Sequence, residues 1–251
     1  MDWWFRRKRL NPVSYLSISI GTGLETKAKH VPEDRIVSLR PADGVVRLAE
    51  ILEQTNSELV HLCWHGIAPD SDEWFWEAMG VFELFPDTIM VGGTLHNKED
   101  VLGGPRFFGF GDGIGCPDLG RKLYDPGYFA TMWKARSVSA VSSGHCVIKT
   151  SFLKDVLNDL ILEQVPLALL GPWLGGLARE KGKRVVFSPF MSATANTIPE
   201  DSANLENQAH FLSRFWHLMP DERLFSLKLS LTASSAYTPV SNYSERMQHL
   251  E

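Results

Sequence analysis

The chain has 251 residues, 44% of them hydrophobic and 11% aromatic, and a formal net charge of −5. That length and apolar content suffice for one α/β domain with a sizeable core, and the acidic balance argues against nucleic acid as a partner. No apolar run reaches the roughly 18 residues of a membrane span, nothing resembles a signal peptide, and the three cysteines, Cys63, Cys116 and Cys146, lack metal-ligand spacing, which fits a reduced cytoplasmic protein.

Residues 1–12 combine Trp3, Trp4 and Phe5 with Arg6-Arg7-Lys8-Arg9. They read as an N-terminal arm, in which residues 3–9 suit contact with an anionic membrane surface. Over 14–20, Leu16, Ile18 and Ile20 alternate with Ser17 and Ser19, the period of a strand, and Gly21-Thr22-Gly23 ends it in a turn. A further strand is expected over 35–39. Gly44 then opens a helix with Val45, Leu48, Ala49 and Leu52 on one face. The nearly continuous apolar run over 58–64 predicts a buried parallel strand, and this β-α-β order predicts an open sheet with ligands beyond the strands' carboxyl ends. Trp64, His65 and Gly66 lie at that end, with Gly21 and Thr22 beside them as the rest of the cleft.

Asp70-Ser71-Asp72 supports two readings. As an Asp-x-Asp pair it offers hard oxygen ligands for Mg²⁺ or Mn²⁺. As Asp70 three residues before Glu73, ahead of Trp74, Phe75, Ala78 and Phe82, it is a capping box, the reading its context favours. A strand over 88–92 follows, and the Gly- and Pro-rich residues 97–121, which include Asp112, predict a long irregular loop serving as a lid.

Asp125-Pro126-Gly127 is a turn signal. Residues 137–148 read as one strand interrupted at Ser142-Ser143-Gly144, where the glycine suggests a bulge or the approach of a ligand, and Thr150 or Ser151 can cap the helix after it. Pro172 can open a helix with Trp173, Leu174 and Leu177 inward, Gly182 can close it, and 183–187 is the next strand.

The segment from Asp125-Pro126-Gly127-Tyr128 through Arg136, Ser139-Ala140-Val141 and Phe152, together with Phe211, Arg214, Trp216 and Leu229-Ser230 near the end, resembles bacterial glycosyltransferases of family 2, of the O-antigen and surface-polysaccharide type. The resemblance implies a GT-A-like, Rossmann-related α/β fold, here over 13–231 with a C-terminal extension at 232–251, and a nucleotide-sugar donor with a glycan acceptor. It places Tyr128, Ser142, Ser143, Gly144, His145 and Trp173 on the acceptor side.

Measured against that family the chain departs at each catalytic position. Ser19 and Ile20 stand where the family's base-binding acid would be, Trp64-His65-Gly66 where its metal-binding acids would be, and Leu170-Gly171 where its general base would be. The family's opening strand and helix also have no counterpart, so the chain reads either as an excised domain or as a remnant that pairs with a strand supplied by a partner segment. What remains is His65, Asp112 and His145 as catalytic candidates, with Asp70 and Asp72 for a metal. Two functions follow: a domain with an impaired donor site that binds glycan or a partner, or an active transferase with a diverged, metal-independent site.

Overall fold

The computed structural model describes residues 13–21, 35–110 and 113–219. The N-terminal arm, Thr22, Asp112 and the C-terminal extension therefore lie outside the described residues.

Seven strands form the main sheet: β1 (Tyr15–Ile20), β2 (Ile36–Leu39), β3 (Leu59–Trp64), β5 (Thr88–Gly92), β10 (Arg136–Val138), β11 (His145–Lys149) and β12 (Arg184–Phe187), in the order β10-β12-β5-β11-β3-β1-β2. The β1–β2, β1–β3 and β5–β12 pairs are parallel, whereas β11 runs antiparallel to both neighbours and β10 antiparallel to β12. A four-stranded sheet of β4 (Ala68–Pro69), β6 (Leu95–His96), β7 (Val101–Gly103) and β13 (Ala193–Thr194) lies beyond the carboxyl ends of β3 and β5, and β8 (Phe107–Phe108) pairs with β9 (Ile114–Gly115).

Alternation along the strands sorts the core into two layers. Ile18, Ile20, Val60, Leu62, Cys146 and Ile148 face α1 (Gly44–Glu53), α3 (Thr150–Asp155), α4 (Leu157–Leu162), α5 (Leu170–Glu180) and α6 (Leu205–Arg214). Tyr15, Leu59, Val91, Val147 and Val186 face the other way, onto α2 (Trp74–Leu84). The result is a mixed α/β fold with a central sheet flanked by helices. Helix α5 approaches the chain before β11 unusually closely. A Cβ on Gly171 would lie 2.2 Å from the Val141 carbonyl oxygen, and one on Gly175 2.4 Å from that of Ser139, so glycine four residues apart lets helix meet backbone.

Several expectations change. Residues 137–148 are two strands rather than one: β10 lies at the sheet edge and β11 in its middle, and Ser142-Ser143-Gly144 belongs to the crossing between them. Residues 97–121 are not irregular throughout, since they carry β7, β8 and β9. Helix α3 begins at Thr150 itself, after Lys149 and without a side-chain cap. The sheet is paired without interruption from β10 to β2, and β1 pairs with β3 along all six of its residues. Hence no interior place is vacant for a strand from a partner, which could add only at an edge. No helix among the described residues is long and apolar enough to cross a membrane.

Candidate functional site

At the carboxyl ends of β1 and β3 the structure brings the predicted donor-side residues together. The His65 N–H donates to the Ile20 carbonyl at 2.7 Å, the Trp64 N–H to the Gly144 carbonyl at 2.9 Å, and a Cβ on Gly21 would sit 2.2 Å from that of His65. His65 and Gly66 are exposed, and the half-buried Trp64 makes no hydrogen bond through Nε1. Among the described residues, Gly21, Trp64, His65 and Gly66 bring no carboxylate to this rim.

Asp70, in the loop after β4, does not cap helix α2, and protein donors take up its carboxylate. His96 Nε2 and Ser192 Oγ each donate to its Oδ2 at 2.7 Å, and Thr194 Oγ1 donates to Oδ1 at 2.9 Å. His96 Nδ1 accepts the Lys98 N–H, which fixes the tautomer with the proton on Nε2. Burial works to raise the Asp70 pKa, but the hydrogen bonds from His96, Ser192 and Thr194, with the attraction of His96, outweigh it and hold the carboxyl at about 2. Helix α2 starts without a side-chain cap at Glu73, whose N–H instead takes Ser71 Oγ. Asp72 is exposed. A hard divalent ion needs several free oxygens. With Asp70 holding the three strands β4, β6 and β13 together, Asp70 and Asp72 do not fit Mg²⁺ or Mn²⁺.

His145 is also not placed for proton transfer to a substrate. It is 1% exposed on the α2 face of the sheet, where its Nδ1 meets His61 Nε2 at 2.9 Å. Burial pushes its pKa down to about 4 and that of His61 well below the usual value, so both rings are neutral.

A cavity with both apolar and polar walls lies elsewhere. It measures about 590 Å³, within the usual range for small-molecule sites. Leu102, Phe110, Ile114, Leu119, Leu169, Pro172, Phe211 and Leu212 give it apolar walls, and Arg106, Glu200, Asp201, Asn196 and Gln208 its polar groups. Much of one wall thus comes from residues 97–121. Arg106 is fixed by backbone pairing with Ala140, and Glu200 by a single-turn 3₁₀ helix at Pro199–Ser202. Their side chains are only 10% and 6% exposed, with Arg106 Nη2 3.6 Å from Glu200 Oε2. Ser142 Oγ donates to the same oxygen at 2.9 Å and accepts the Gly144 N–H. Glu200 Oε1 and Arg106 Nε have no hydrogen-bond partner. Both atoms are shut off from solvent, so they carry a desolvation cost that the ion pair and the Ser142 hydroxyl offset only in part.

Of the predicted acceptor-side residues, Ser142 therefore touches the cavity's carboxylate. Ser143 is buried with its hydroxyl toward the Leu167 carbonyl, and Gly144 packs against Ile67, Leu95 and Pro199. Trp173 is 1% exposed in the core against Phe211 and Phe215, so it offers no face to a ligand, and Tyr128 lies at the surface, outside the cavity lining. Arg106 and Glu200 carry no signal in the sequence. They come from distant segments whose local pattern is that of a Gly-Pro loop and a Pro-initiated turn.

No protein-family model and no curated protein sequence matches the chain. Among solved structures it is similar to A197 from STIV, at 12% identity and a TM-score of 0.46 over 70% of this chain and 82% of that one. It is likewise similar to GalNAc-T7, solved with UDP, GalNAc and Mn²⁺, at 10% identity and a TM-score of 0.49. That alignment covers 95% of this chain and 54% of GalNAc-T7, so the chain spans about half the length of that protein. At these identities the likeness concerns the fold alone.

Proposed function

We propose that this chain is a GT-A-like domain of the family 2 glycosyltransferase type, associated with bacterial surface-polysaccharide synthesis, which binds glycan in the Arg106–Glu200 cavity and has an impaired donor site. The observation that carries this reading is the contrast between two carboxylates. Asp70 is saturated by three donors at the donor-side rim, whereas Glu200 lines a cavity of about 590 Å³ beside Arg106, Asn196, Asp201 and Gln208. A sugar's hydroxyls, each at once donor and acceptor, suit these polar groups, with the apolar walls covering the ring faces.

The test is calorimetric titration with UDP, GDP and CDP, each with and without Mn²⁺, beside saturation-transfer NMR with bacterial oligosaccharide fragments. Expected are no metal-dependent nucleotide heat, and oligosaccharide binding that Glu200→Gln weakens about tenfold or more, the effect of one buried hydrogen bond to a charged group. Metal-dependent nucleotide binding tighter than about 100 μM, roughly 5.5 kcal/mol, would overturn the reading.

One observation favours a second reading, an active, metal-independent transferase. The family's base falls at Leu170-Gly171, and Gly171 packs on Val141 beside Ser142, the residue whose hydroxyl holds Glu200. Glu200 thus stands near the missing acid although it comes from a later segment, and in this reading it takes the proton of the acceptor hydroxyl. Sugar transfer abolished by Glu200→Gln, with oligosaccharide binding retained, would establish it.

A further inference from the structure

On the opposite face of the sheet, beneath α2, lies a second buried polar cluster that the glycan reading does not use. His61 and Cys63 are two residues apart on β3 and share that face, and His145 on β11 is in register with Cys63. The three are 0%, 2% and 1% exposed. One donor atom from each, a ring nitrogen from either histidine and the Cys63 sulfur, lies within 4.8 Å of the other two.

The hydrogen bonding is incomplete in a specific way. Ser17 Oγ contacts His61 Nδ1 at 3.0 Å, and His61 Nε2 contacts His145 Nδ1 at 2.9 Å. Each of these bonds holds one proton, in whichever direction the chain runs. Either way His145 Nε2 is left at the end with no partner, although it is buried. The Ser17 contact is what a metal-ligating histidine requires, because a hydroxyl on the far nitrogen orients the ring with its other nitrogen toward the ion. Trp74 stacks on the His61 ring at a centroid distance of 4.1 Å and meets His145 edge-on at 5.7 Å, which locks both rings.

We propose that His61, Cys63 and His145 form a buried three-ligand site for a borderline-soft divalent cation, with Zn²⁺ the ion that best suits two imidazoles and one thiolate. The cation takes the place of the proton between the two rings, each of which keeps one proton on the nitrogen turned away from the ion, His61 on Nδ1 toward Ser17 Oγ and His145 on Nε2. It also displaces the Cys63 thiol proton, now directed at the Ile67 carbonyl 3.4 Å away, so one proton is released per ion bound. The thiolate leaves one positive charge on the site, and the carboxylate of Asp70 already acts on His145 as a counter-charge. Hard ions such as Mg²⁺ are poorly served by these ligands, so this site is separate from the donor-side metal that Asp70 and Asp72 fail to hold.

The test uses the full chain, expressed in zinc-supplemented medium and also refolded from denaturant with Zn²⁺ or Co²⁺, which gives the ion access to a buried site. Elemental analysis after dialysis is expected to find a single equivalent of zinc, and the cobalt form a thiolate-to-metal charge-transfer band. Cys63→Ser removes the band, His145→Gln removes stoichiometric metal, and Ser17→Ala weakens affinity by about 10–100-fold. Circular dichroism establishes that each variant is folded. A folded wild-type protein that takes up no zinc or cobalt by either route overturns the proposal, as does metal uptake that Cys63→Ser and His145→Gln both leave unchanged.

Discussion

Replacing Asp70 with asparagine separates the structural role of this residue from a metal-binding one. Its carboxyl is held at about 2 against an ordinary value of 3.8. The difference of about 1.8 units, at 1.36 kcal/mol each, is at most about 2.4 kcal/mol of stability at neutral pH. The side chain is 34% exposed, so solvent screening reduces this to about 1–1.5 kcal/mol. Asparagine also turns an amide N–H₂ toward one of three donors, which adds a cost of similar size. Urea denaturation at pH 7 should therefore show Asp70→Asn destabilised by about 1–3 kcal/mol with an unchanged m-value. The sign follows from the depressed pKa. The wild-type contribution is fully present above pH 4, falls as the pH drops toward 2, and is about half gone near pH 3, so the two proteins converge in acid. Equal stability of variant and wild type at pH 7, together with loss of Mn²⁺-dependent nucleotide binding in the variant, would refute the reasoning and restore Asp70 as a metal ligand.

Three further outcomes are expected. Arg106→Met alone leaves Glu200 as an unpaired buried charge and should cost about 3–5 kcal/mol, whereas Arg106→Met with Glu200→Leu should cost markedly less; a double-mutant cycle by urea denaturation measures the coupling. Gly171→Ala places its methyl 2.2 Å from the Val141 carbonyl oxygen, and overpacking of this kind should lower stability by about 1–3 kcal/mol, read as a fall in Tm. Trp173→Ala should cost about 3–5 kcal/mol as a core truncation, while oligosaccharide affinity measured under conditions where the variant is folded falls less than in Glu200→Gln, because Trp173 is outside the cavity lining and supports its wall through Phe211.

The elements legible in the sequence are those whose determinants are local. The alternation of β1, the helical face of α1 and the unbroken apolar runs of β3 and β5 all follow from residues within a few positions of one another. At the Asp125-Pro126-Gly127 turn, Gly127 has φ +71° and its N–H takes Asp125 Oδ1. The division of 137–148 between an edge strand and a central one was not legible. Small and β-branched residues continue across Ser142-Ser143-Gly144, and only the pairing of β10 with β12 and of β11 with β3 tells the two apart. Asp70 misleads for the same reason. Asp-x-x-Glu ahead of an apolar helix is a sound local pattern for a cap, but His96, Ser192 and Thr194 arrive from two other segments and take both oxygens. The cavity is the extreme case, because Arg106, Ser142 and Glu200 share neither a motif nor a spacing.

The charges around the cavity narrow what it can bind. Transfer from a nucleotide-sugar leaves a diphosphate, whose charge must be met by a metal ion or by free cations. Asp70 has three of its roughly four acceptor sites occupied and cannot anchor such an ion. Arg106 is a buried cation near the glycan-facing wall, but it lies 3.6 Å from Glu200 and its charge is already matched. A diphosphate entering there would bring two like-charged groups, phosphate and Glu200, together in a weakly screened interior. A neutral polyhydroxylated ligand meets no such repulsion: its hydroxyls can bond the polar side chains of the lining, Asn196, Asp201 and Gln208, without disturbing the pair. The electrostatics of the site thus favour the sugar itself over its activated nucleotide form.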